Sequence, residues 1–282
     1  MAVCNVCFRK CRLDEGQIGF CGGRVCSGDR VRDLNYGRVT ALALDPIEKK
    51  PLARFYPGSM ILSVGSFGCN LRCPFCQNHE ISWSEEALQL AGQDDRLSYL
   101  TPEQLVETAA YYRNQGNIGV AFTYNEPLIG YEFVRDTARL VHEEGMKNVL
   151  VTNGTANLWV LEELAPYIDA MNIDLKGFSD GYYHMVGGSF AMTKAFIRQA
   201  AQNCHVELTC LIVPGENDSE EEMRRMCTWI AGLKDGRTIP LHITRFFPQF
   251  HMTDRRATDV SLIYHLADVA REMLDYVYTG NC

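Results

Sequence analysis

The sequence predicts an α/β fold, a partial (β/α)6 barrel behind a small Cys-rich N-terminal extension. From residue 59 onward, six short apolar runs alternate with helical patterns, as expected for parallel strands covered on both faces. A length of 282 residues is usual for one such domain. Residues 1–58 are instead rich in Cys, Gly and Arg, so we expect a metal-binding segment there and the barrel at 59–282. A flat doubly wound sheet is the alternative.

The predicted strands and helices follow one another along the barrel domain. The strands are predicted at 60–68, 117–124, 148–154, 170–177, 205–215 and 240–248. One helix begins after Thr101 as N-cap, and Gln104 completes its capping box. A later helix has Ser219 and Glu222 in the same two roles. This alternation gives right-handed crossovers and a parallel sheet.

Polar residues cluster where the predicted strands end. The carboxyl ends of parallel strands share one rim, which is where sites form in such folds. The rim candidates, in strand order, are Cys69, Asn125, Glu126, Asn153, Asp174, Lys176, Pro214 and Gly215.

The loop after the first predicted strand carries Cys69, Cys73 and Cys76, spaced C-x3-C-x2-C. Structural zinc and ordinary [4Fe–4S] clusters each take four protein ligands. Three thiolates can instead hold three irons of a [4Fe–4S] cluster and leave the fourth iron open to a ligand. The alternative is part of a zinc ribbon with a distant fourth ligand, which would not explain the barrel pattern.

These motifs resemble those of a known superfamily. With Phe75 in the aromatic place, C-x3-C-x-aromatic-C resembles the signature of radical S-adenosylmethionine (SAM) enzymes. The stretches "TNG", "NIDLKG" and "LIVPGEND" resemble strand ends of glycyl-radical-enzyme activases such as pyruvate formate-lyase activating enzyme. Over nearly the whole chain, "DPIEKKPLARFYPGS", "GCNLRCPFCQNHEIS", "TYNEP", "NIDLKGF" and "YVYTGN" resemble the AmmeMemoRadiSam-system radical SAM proteins. The resemblance implies a TIM-like partial barrel of radical SAM type.

The resemblance also implies cofactors, chemistry and partners. A [4Fe–4S] cluster with one open iron would bind S-adenosyl-L-methionine and cleave it reductively to a 5′-deoxyadenosyl radical that abstracts hydrogen from a substrate. The electron would come from a reductant protein such as flavodoxin or ferredoxin. The substrate stays unknown, either a glycine of a partner protein or a small molecule.

The rim residues then take expected roles in binding SAM. Glu126 would accept a hydrogen bond from the ammonium group of SAM. It stands in "TYNEP" with Tyr124 and Asn125, where many relatives have Gly-Gly-Glu-Pro. The two glycines are absent here, and the alternative is a Glu that opens a helix. Asn153 would bind ribose or carboxylate, unless it is a turn residue. Asn78 follows the cluster loop directly and would donate to cluster sulfurs or to SAM.

The remaining candidates lie on later strands. Asp174 would accept from ribose hydroxyls and Lys176 would pair with the methionine carboxylate, unless the two form a buried structural ion pair. Pro214 would present a flat edge to adenine, or mark a plain turn. His242 would reach the site from the last strand, or be a satisfied core histidine.

A second cysteine group lies near the N-terminus. Cys4, Cys7, Cys11 and Cys21 are spaced C-x2-C-x3-C-x9-C and make a complete tetrahedral set. We expect structural zinc there, with an auxiliary iron–sulfur cluster as the second interpretation and free thiols as the third. Cys26 is a spare ligand. Cys204, Cys210 and Cys227 are expected as core thiols. The resemblance implies a further cysteine pair after "GN", which is either dispensable here or has Cys282 as its remnant.

Composition limits the remaining functional classes. The net charge of −8 argues against nucleic acid as the main partner. No run reaches the roughly 18 apolar residues of a membrane span, and "MAVCNVCFRKC" lacks a signal-peptide core. We therefore expect a cytoplasmic monomer with reduced thiols and no membrane partner. There are two alternatives to an enzyme. One is a non-enzymatic iron–sulfur protein for electron transfer or redox sensing, and the other is a binding module whose fold is stabilised by a bound metal.

Overall fold

The structure is a computed structural model that describes residues 1–92 and 97–282. Its strands are β1 (Ala2–Val3), β2 (Arg12–Leu13), β3 (Arg24–Ser27), β4 (Arg30–Asp33), β5 (Arg38–Val39), β6 (Ala41–Pro46), β7 (Met60–Gly65), β8 (Ser98–Tyr99), β9 (Asn117–Phe122), β10 (Lys147–Thr152), β11 (Ala170–Asp174), β12 (His205–Ile212), β13 (Leu241–Arg245) and β14 (Val277–Gly280). Its α-helices are α1 (His79–Ser82), α2 (Glu85–Ala91), α3 (Pro102–Tyr111), α4 (Tyr131–Glu143), α5 (Leu158–Leu164), α6 (Asp180–Met185), α7 (Phe190–Ala200), α8 (Glu220–Ala231) and α9 (Val260–Arg271). Short 3-10 helices lie at Ile47–Lys49, Tyr112–Gln115, Pro127–Gly130 and Gly236–Thr238.

One large sheet organises the molecule. Its strand order is β14-β13-β12-β11-β10-β9-β7-β6, and every neighbouring pair is parallel except β6 with β7. The order begins at β6 and ends at β14, so the sheet is an open barrel. The predicted α/β class is confirmed, and all six predicted strands are present. Each of them ends two to three residues before the predicted end.

Two strands of this sheet were not predicted. The seventh parallel strand, β14, extends the sheet beyond β13. The antiparallel edge strand, β6, comes from the N-terminal 58 residues and pairs with β7 from Ala41 opposite Gly65 to Pro46 opposite Met60. The N-terminal segment therefore contributes a strand to the barrel sheet, in addition to its own hairpins β1–β2 and β3–β4.

Local sequence explains the element boundaries. The capping box at α3 is confirmed, because Thr101 accepts from Gln104 N and Gln104 accepts from Thr101 N. Ser219 caps α8 as predicted, but the Glu222 carboxylate accepts from Phe178 N at 2.6 Å and forms no box. Gly119 lets β9 and β10 approach closely, since a Cβ there would lie 1.8 Å from Lys147 O.

The N-terminal segment also closes the amino end of the barrel. Ile47, Leu52 and Phe55 form a small buried cluster with residues of the sheet, namely Ile61, Ala121, Val149 and Ala170. We call this layer, with the backbone of residues 47–55, the floor. The main core lies between the outer face of the sheet and the helices. In the described ranges, no helix has the length and apolar character needed to cross a bilayer.

A buried carboxylate joins the floor to the sheet. Glu207 is completely buried on β12 and accepts from Ala53 N at 2.9 Å and Arg54 N at 2.7 Å. It also bonds His205 Nε2 at 2.9 Å and His242 Nε2 at 2.6 Å. Burial alone would raise the pKa of Glu207, but these four hydrogen bonds outweigh it and lower the pKa to about 2.

Candidate active site

Cys69, Cys73 and Cys76, the central cysteines, lie on the loop that follows β7. Cys73 is buried and the other two are half-buried. The loop is held at its start, where Cys69 N donates to Cys21 O, and in its middle, where Arg72 N donates to Val186 O. It is also held from outside, where Gln249 Nε2 donates to Phe75 O at 2.8 Å. The Phe75 ring is buried and packs edge-on against Phe246.

The environment of the central cysteines suits metal-bound thiolates. Burial raises the pKa of all three thiols, to about 11 for Cys73 and well above the ordinary value for Cys69. Such thiols give up their protons only to a cationic partner. Two N–H groups point at Cys69 Sγ, from Leu71 N at 3.4 Å and from Asn153 Nδ2 at 3.8 Å. Three thiols with N–H donors to sulfur fit the donor set of an iron–sulfur cluster.

Glu126 lies beside the central cysteines and is 3% exposed. Its Oε1 accepts from Leu128 N at 3.1 Å and Thr152 Oγ1 at 2.7 Å, and its Oε2 accepts from Asn153 N at 2.8 Å. Burial raises the pKa of Glu126 to about 7, against the effect of these hydrogen bonds. Glu126 therefore opens the 3-10 helix Pro127–Gly130, as one interpretation predicts, and also ties β9 to the end of β10.

Asn153 belongs to a small amide network that touches the cysteine loop. Its Nδ2 donates to Asn70 Oδ1 at 2.9 Å, and its Oδ1 accepts from Thr155 N at 3.1 Å. Asn70 Nδ2 in turn donates to Thr155 Oγ1 at 2.9 Å. Sequence reasoning missed Asn70, Thr152 and Thr155. Asn70 lies within the motif "GCNLRCPFCQNHEIS", Thr152 lies within "TNG", and Thr155 follows "TNG" directly, which is the signal that could have found them.

The pair Asp174 and Lys176 extends the rim on β11. Lys176 Nζ lies 2.7 Å from Asp174 Oδ2, and both side chains keep part of their surface exposed. Burial alone would lower the pKa of Lys176, but Asp174 and the thiols of Cys73 and Cys69 outweigh it and raise the pKa. The cation therefore lies near the central cysteines, in an ion pair that is partly exposed.

Four other predicted residues hold the rim together. Asn125 Nδ2 donates to Phe67 O and Gly68 O, both at 3.1 Å, so its amide fixes the loop before Cys69. Tyr124 has a φ of 72° and its hydroxyl donates to Asp45 Oδ2 at 2.7 Å. The Tyr124 carbonyl accepts from Asn78 Nδ2 at 2.6 Å. Pro214 O accepts from Arg255 Nη1 at 3.0 Å.

His242 does not join this group. It is the second residue of β13, where it bonds Glu207 above the floor and stacks on Tyr278 with ring centroids 5.2 Å apart. The contacts of His242 are those of a satisfied core histidine, and its expected contact with the site stays a prediction.

The N-terminal cysteines lie next to this rim. Cys4, Cys7, Cys11 and Cys21 line one cavity with Val6, Arg9, Gly19, Arg24 and Ile129. Cys26 is buried outside that lining, and its Sγ lies 3.8 Å from Gly28 O. In the described parts of the chain, no three His, Cys, Asp or Glu side chains gather around a single ion position, and this applies equally to the central cysteines.

The chain is similar in sequence and in fold to known proteins. The family profile described as "Radical SAM superfamily" matches residues 63–227. An uncharacterised protein of Methanocaldococcus jannaschii is 37% identical over 99% of this chain and 80% of its own. Pyruvate formate-lyase 1-activating enzyme of Escherichia coli K12 is 30% identical over 56% of this chain, and the match spans only 63% of that enzyme. The crystal structure of Streptococcus suis SuiB bound to S-adenosylmethionine superposes with a TM-score of 0.58, at 13% identity, over 76% of this chain and 48% of SuiB.

Proposed function

Because this chain belongs to the radical SAM superfamily, we propose that Cys69, Cys73 and Cys76 hold a [4Fe–4S] cluster whose remaining iron is open to SAM. The observation that carries the proposal is the position of three buried or half-buried thiols on one rim loop, beside a carboxylate, an amide network and a lysine. When bound there, the cluster and SAM would supply the 5′-deoxyadenosyl radical for hydrogen abstraction from the substrate.

The rim residues supply binding and orientation for SAM. Glu126 Oε2 has a single hydrogen-bond donor, so it keeps a lone pair for the SAM ammonium. Lys176 offers its ammonium to the methionine carboxylate, and Asp174 offers its second carboxylate oxygen to a ribose hydroxyl. Asn153 orients the loop through Asn70 and donates toward Cys69 Sγ. Glu126 and Asn153 are held by hydrogen bonds from backbone N–H groups, and Lys176 by its ion pair, before any ligand arrives, which lowers the entropy lost on binding.

Other predicted residues support this arrangement without needing contact with SAM. Asn125 fixes the backbone of residues 66–68, and Asn78 fixes the carbonyl of Tyr124. Phe75 fills the space under the loop and keeps water from it. Pro214 keeps a half-exposed edge on the rim that suits a flat base such as adenine.

The substrate class and partners belong to the same proposal. The similarity to pyruvate formate-lyase 1-activating enzyme supports an activase-like reaction, in which the hydrogen comes from a glycine of a partner protein. A reductant of the flavodoxin or ferredoxin class would supply the electron. We propose a cytoplasmic monomer, which suits reduced thiols and oxygen-sensitive chemistry.

The experiment that tests the function is direct. The chain is reconstituted anaerobically with iron and sulfide, reduced, mixed with SAM and assayed for 5′-deoxyadenosine. We expect product from the wild type and from Cys227→Ala, which changes a buried core thiol on α8. Cys73→Ala should lose both the central iron and the product. An intact cluster in the wild type without product would refute the enzyme and favour an electron-transfer protein.

A further inference from the structure

The first 38 residues carry the opposite net charge to the rest of the chain. They contain seven Lys and Arg against four Asp and Glu, a net charge of +3. The remaining residues contain 20 Lys and Arg against 31 Asp and Glu, a net charge of −11. A local excess of positive charge on an acidic protein indicates a surface that attracts an anionic partner.

Four cations near the N-terminus form no ion pair with a carboxylate of the described residues, namely Arg9, Lys10, Arg12 and Arg72. Lys10 and Arg12 are exposed, and the other two are half-buried. Arg9 Nε donates to Asn70 O at 3.1 Å, and Arg72 Nη1 donates to Cys69 O at 2.9 Å. Because a carbonyl group is neutral, these hydrogen bonds hold the two guanidinium groups in place and leave their positive charge uncompensated.

Apolar side chains are exposed among these cations. Phe20 is 39% exposed, and both half-buried guanidinium groups stack on its ring, Arg9 at 3.7 Å and Arg72 at 3.8 Å from the centroid. Val3 is 56% exposed and lies opposite Arg12 in the pair β1–β2. We call the surface formed by Val3, Arg9, Lys10, Arg12, Phe20 and Arg72 the cationic face. Arginine and aromatic side chains contribute most of the binding energy at many protein interfaces.

The cationic face touches the loop of the central cysteines. Arg72 lies on that loop, and its Nη2 donates to Phe20 O while its Nη1 donates to Cys69 O. From the Phe20 ring to the backbone of Cys69, the path therefore passes through one side chain. A protein bound at this face would lie close to the central site without covering the rim.

We propose that the cationic face is the docking surface for an acidic one-electron reductant of the central site. The proposal rests on the proposed function for the identity of that site. An acidic protein of the flavodoxin or ferredoxin class is repelled by the rest of the chain and attracted here, so charge complementarity selects this face. The reductant loses one electron and the central site gains it, and no proton or further reactant is required.

An anionic membrane fits the same face less well. Proteins that lie on membranes commonly use an amphipathic helix whose apolar side enters the lipid. The described residues of the cationic face lie on the short strands β1 and β2 and on loops. We therefore assign the face to a protein partner.

Binding affinity tests the face without involving chemistry at the central site. Lys10→Glu/Arg12→Glu in the full chain should weaken binding of flavodoxin at least about tenfold at low ionic strength. The difference should shrink in about 1 M salt, where the screening length falls to about 3 Å. The matched control is Arg225→Glu/Lys234→Glu, which makes the same change in net charge at two exposed cations and should alter the affinity less than about twofold.

A second variant tests the apolar part of the face. Phe20→Ala should weaken flavodoxin binding at least about fivefold, and the effect should persist in high salt because the contact is not ionic. Tyr264→Ala changes a side chain that is 50% exposed on α9 and should bind as the wild type does. Wild-type affinity in both Lys10→Glu/Arg12→Glu and Phe20→Ala would overturn the proposal. A wild type that binds phosphatidylglycerol vesicles or DNA, but neither flavodoxin nor ferredoxin, would also overturn it.

Reduction kinetics separate this proposal from the proposed function. In Lys10→Glu/Arg12→Glu, reduction of the central site by flavodoxin should slow at least about tenfold, whereas reduction by photoreduced 5-deazaflavin, which needs no docking surface, should change less than about twofold. An unchanged flavodoxin rate would refute the docking surface alone. Weakened flavodoxin binding in the variant, with no 5′-deoxyadenosine from the wild type under either reductant, would refute the enzyme and leave the docking surface standing.

Discussion

Replacing Glu207 with Gln should destabilise the protein by about 3 kcal/mol near neutral pH. The hydrogen bonds that Glu207 accepts lower the pKa of its carboxyl from 4.5 to about 2. At about 1.4 kcal/mol per pKa unit, the charged form contributes about 3 kcal/mol to the free energy of unfolding. Because the pKa is lowered on folding, this contribution is complete above pH 4.5 and is lost as the pH falls toward 2.

The geometry leads to a similar magnitude by a separate route. Each carboxylate oxygen accepts from one backbone amide and one imidazole, Oε1 from Arg54 and His205 and Oε2 from Ala53 and His242. Either orientation of a Gln side chain therefore turns its NH2 group toward a backbone N–H. Losing a hydrogen bond to a charged acceptor and leaving a buried donor unpaired costs roughly 1.5–3 kcal/mol.

Urea unfolding at pH 7.5 measures the change, with Glu220→Gln as the matched control. Glu220 pairs with Arg224 and His265 on the surface, where solvent screens the charges, so its replacement should change the free energy of unfolding far less. The difference between wild type and Glu207→Gln should also shrink below pH 4.5. A loss for Glu207→Gln no larger than that of the control, or a difference that does not depend on pH in this range, would refute the reasoning.

Three further predictions concern helix capping, strand contact and the rim. Thr101→Ala removes the capping box of α3 and should lower the free energy of unfolding by about 1 kcal/mol in urea, while an unchanged value would show that the cap contributes nothing. Gly119→Ala should lower the free energy of unfolding by about 4 kcal/mol or prevent folding, because the added Cβ meets Lys147 O. In the control Gly181→Ala on α6, the added Cβ meets nothing within 4 Å, so the free energy of unfolding should rise by up to about 1 kcal/mol. Equal effects of the two variants in thermal unfolding would contradict this. Lys176→Met should weaken SAM binding at least about tenfold at unchanged iron content. The control is Lys234→Met, which changes an exposed lysine. An unaltered dissociation constant of SAM for Lys176→Met would exclude Lys176 from the SAM site.

The sequence predicts strand positions well because buried parallel strands are continuous apolar runs. It predicts strand ends poorly. The predicted ranges include rim residues such as Asn153, which lie beyond the last residue of the strand. Two strands escape prediction, β6 and β14, because each lies at a sheet edge, where one side lacks a neighbour and apolar character is not required.

Candidate site residues are found by type and spacing, but their partners are not. The sequence places Glu222 three residues after Ser219, yet its carboxylate binds Phe178 N, 44 residues away along the chain. His242 shares a strand with rim-facing positions, but its second place on that strand leaves it near Glu207. Such choices depend on distant segments, including residues 53 and 54 of the floor, that no local pattern encodes.

The hydrogen bond from Cys69 N to Cys21 O has a consequence for how the protein matures. A metal at the predicted N-terminal site, or a cluster at the proposed central site, would order its cysteine loop at a cost in conformational entropy, and the shared bond means that ordering one loop would restrict the other in advance. Filling either site should therefore tighten the second, so partly loaded chains would be scarce at equilibrium. Oxidative loss of either centre would loosen its neighbour by the same linkage.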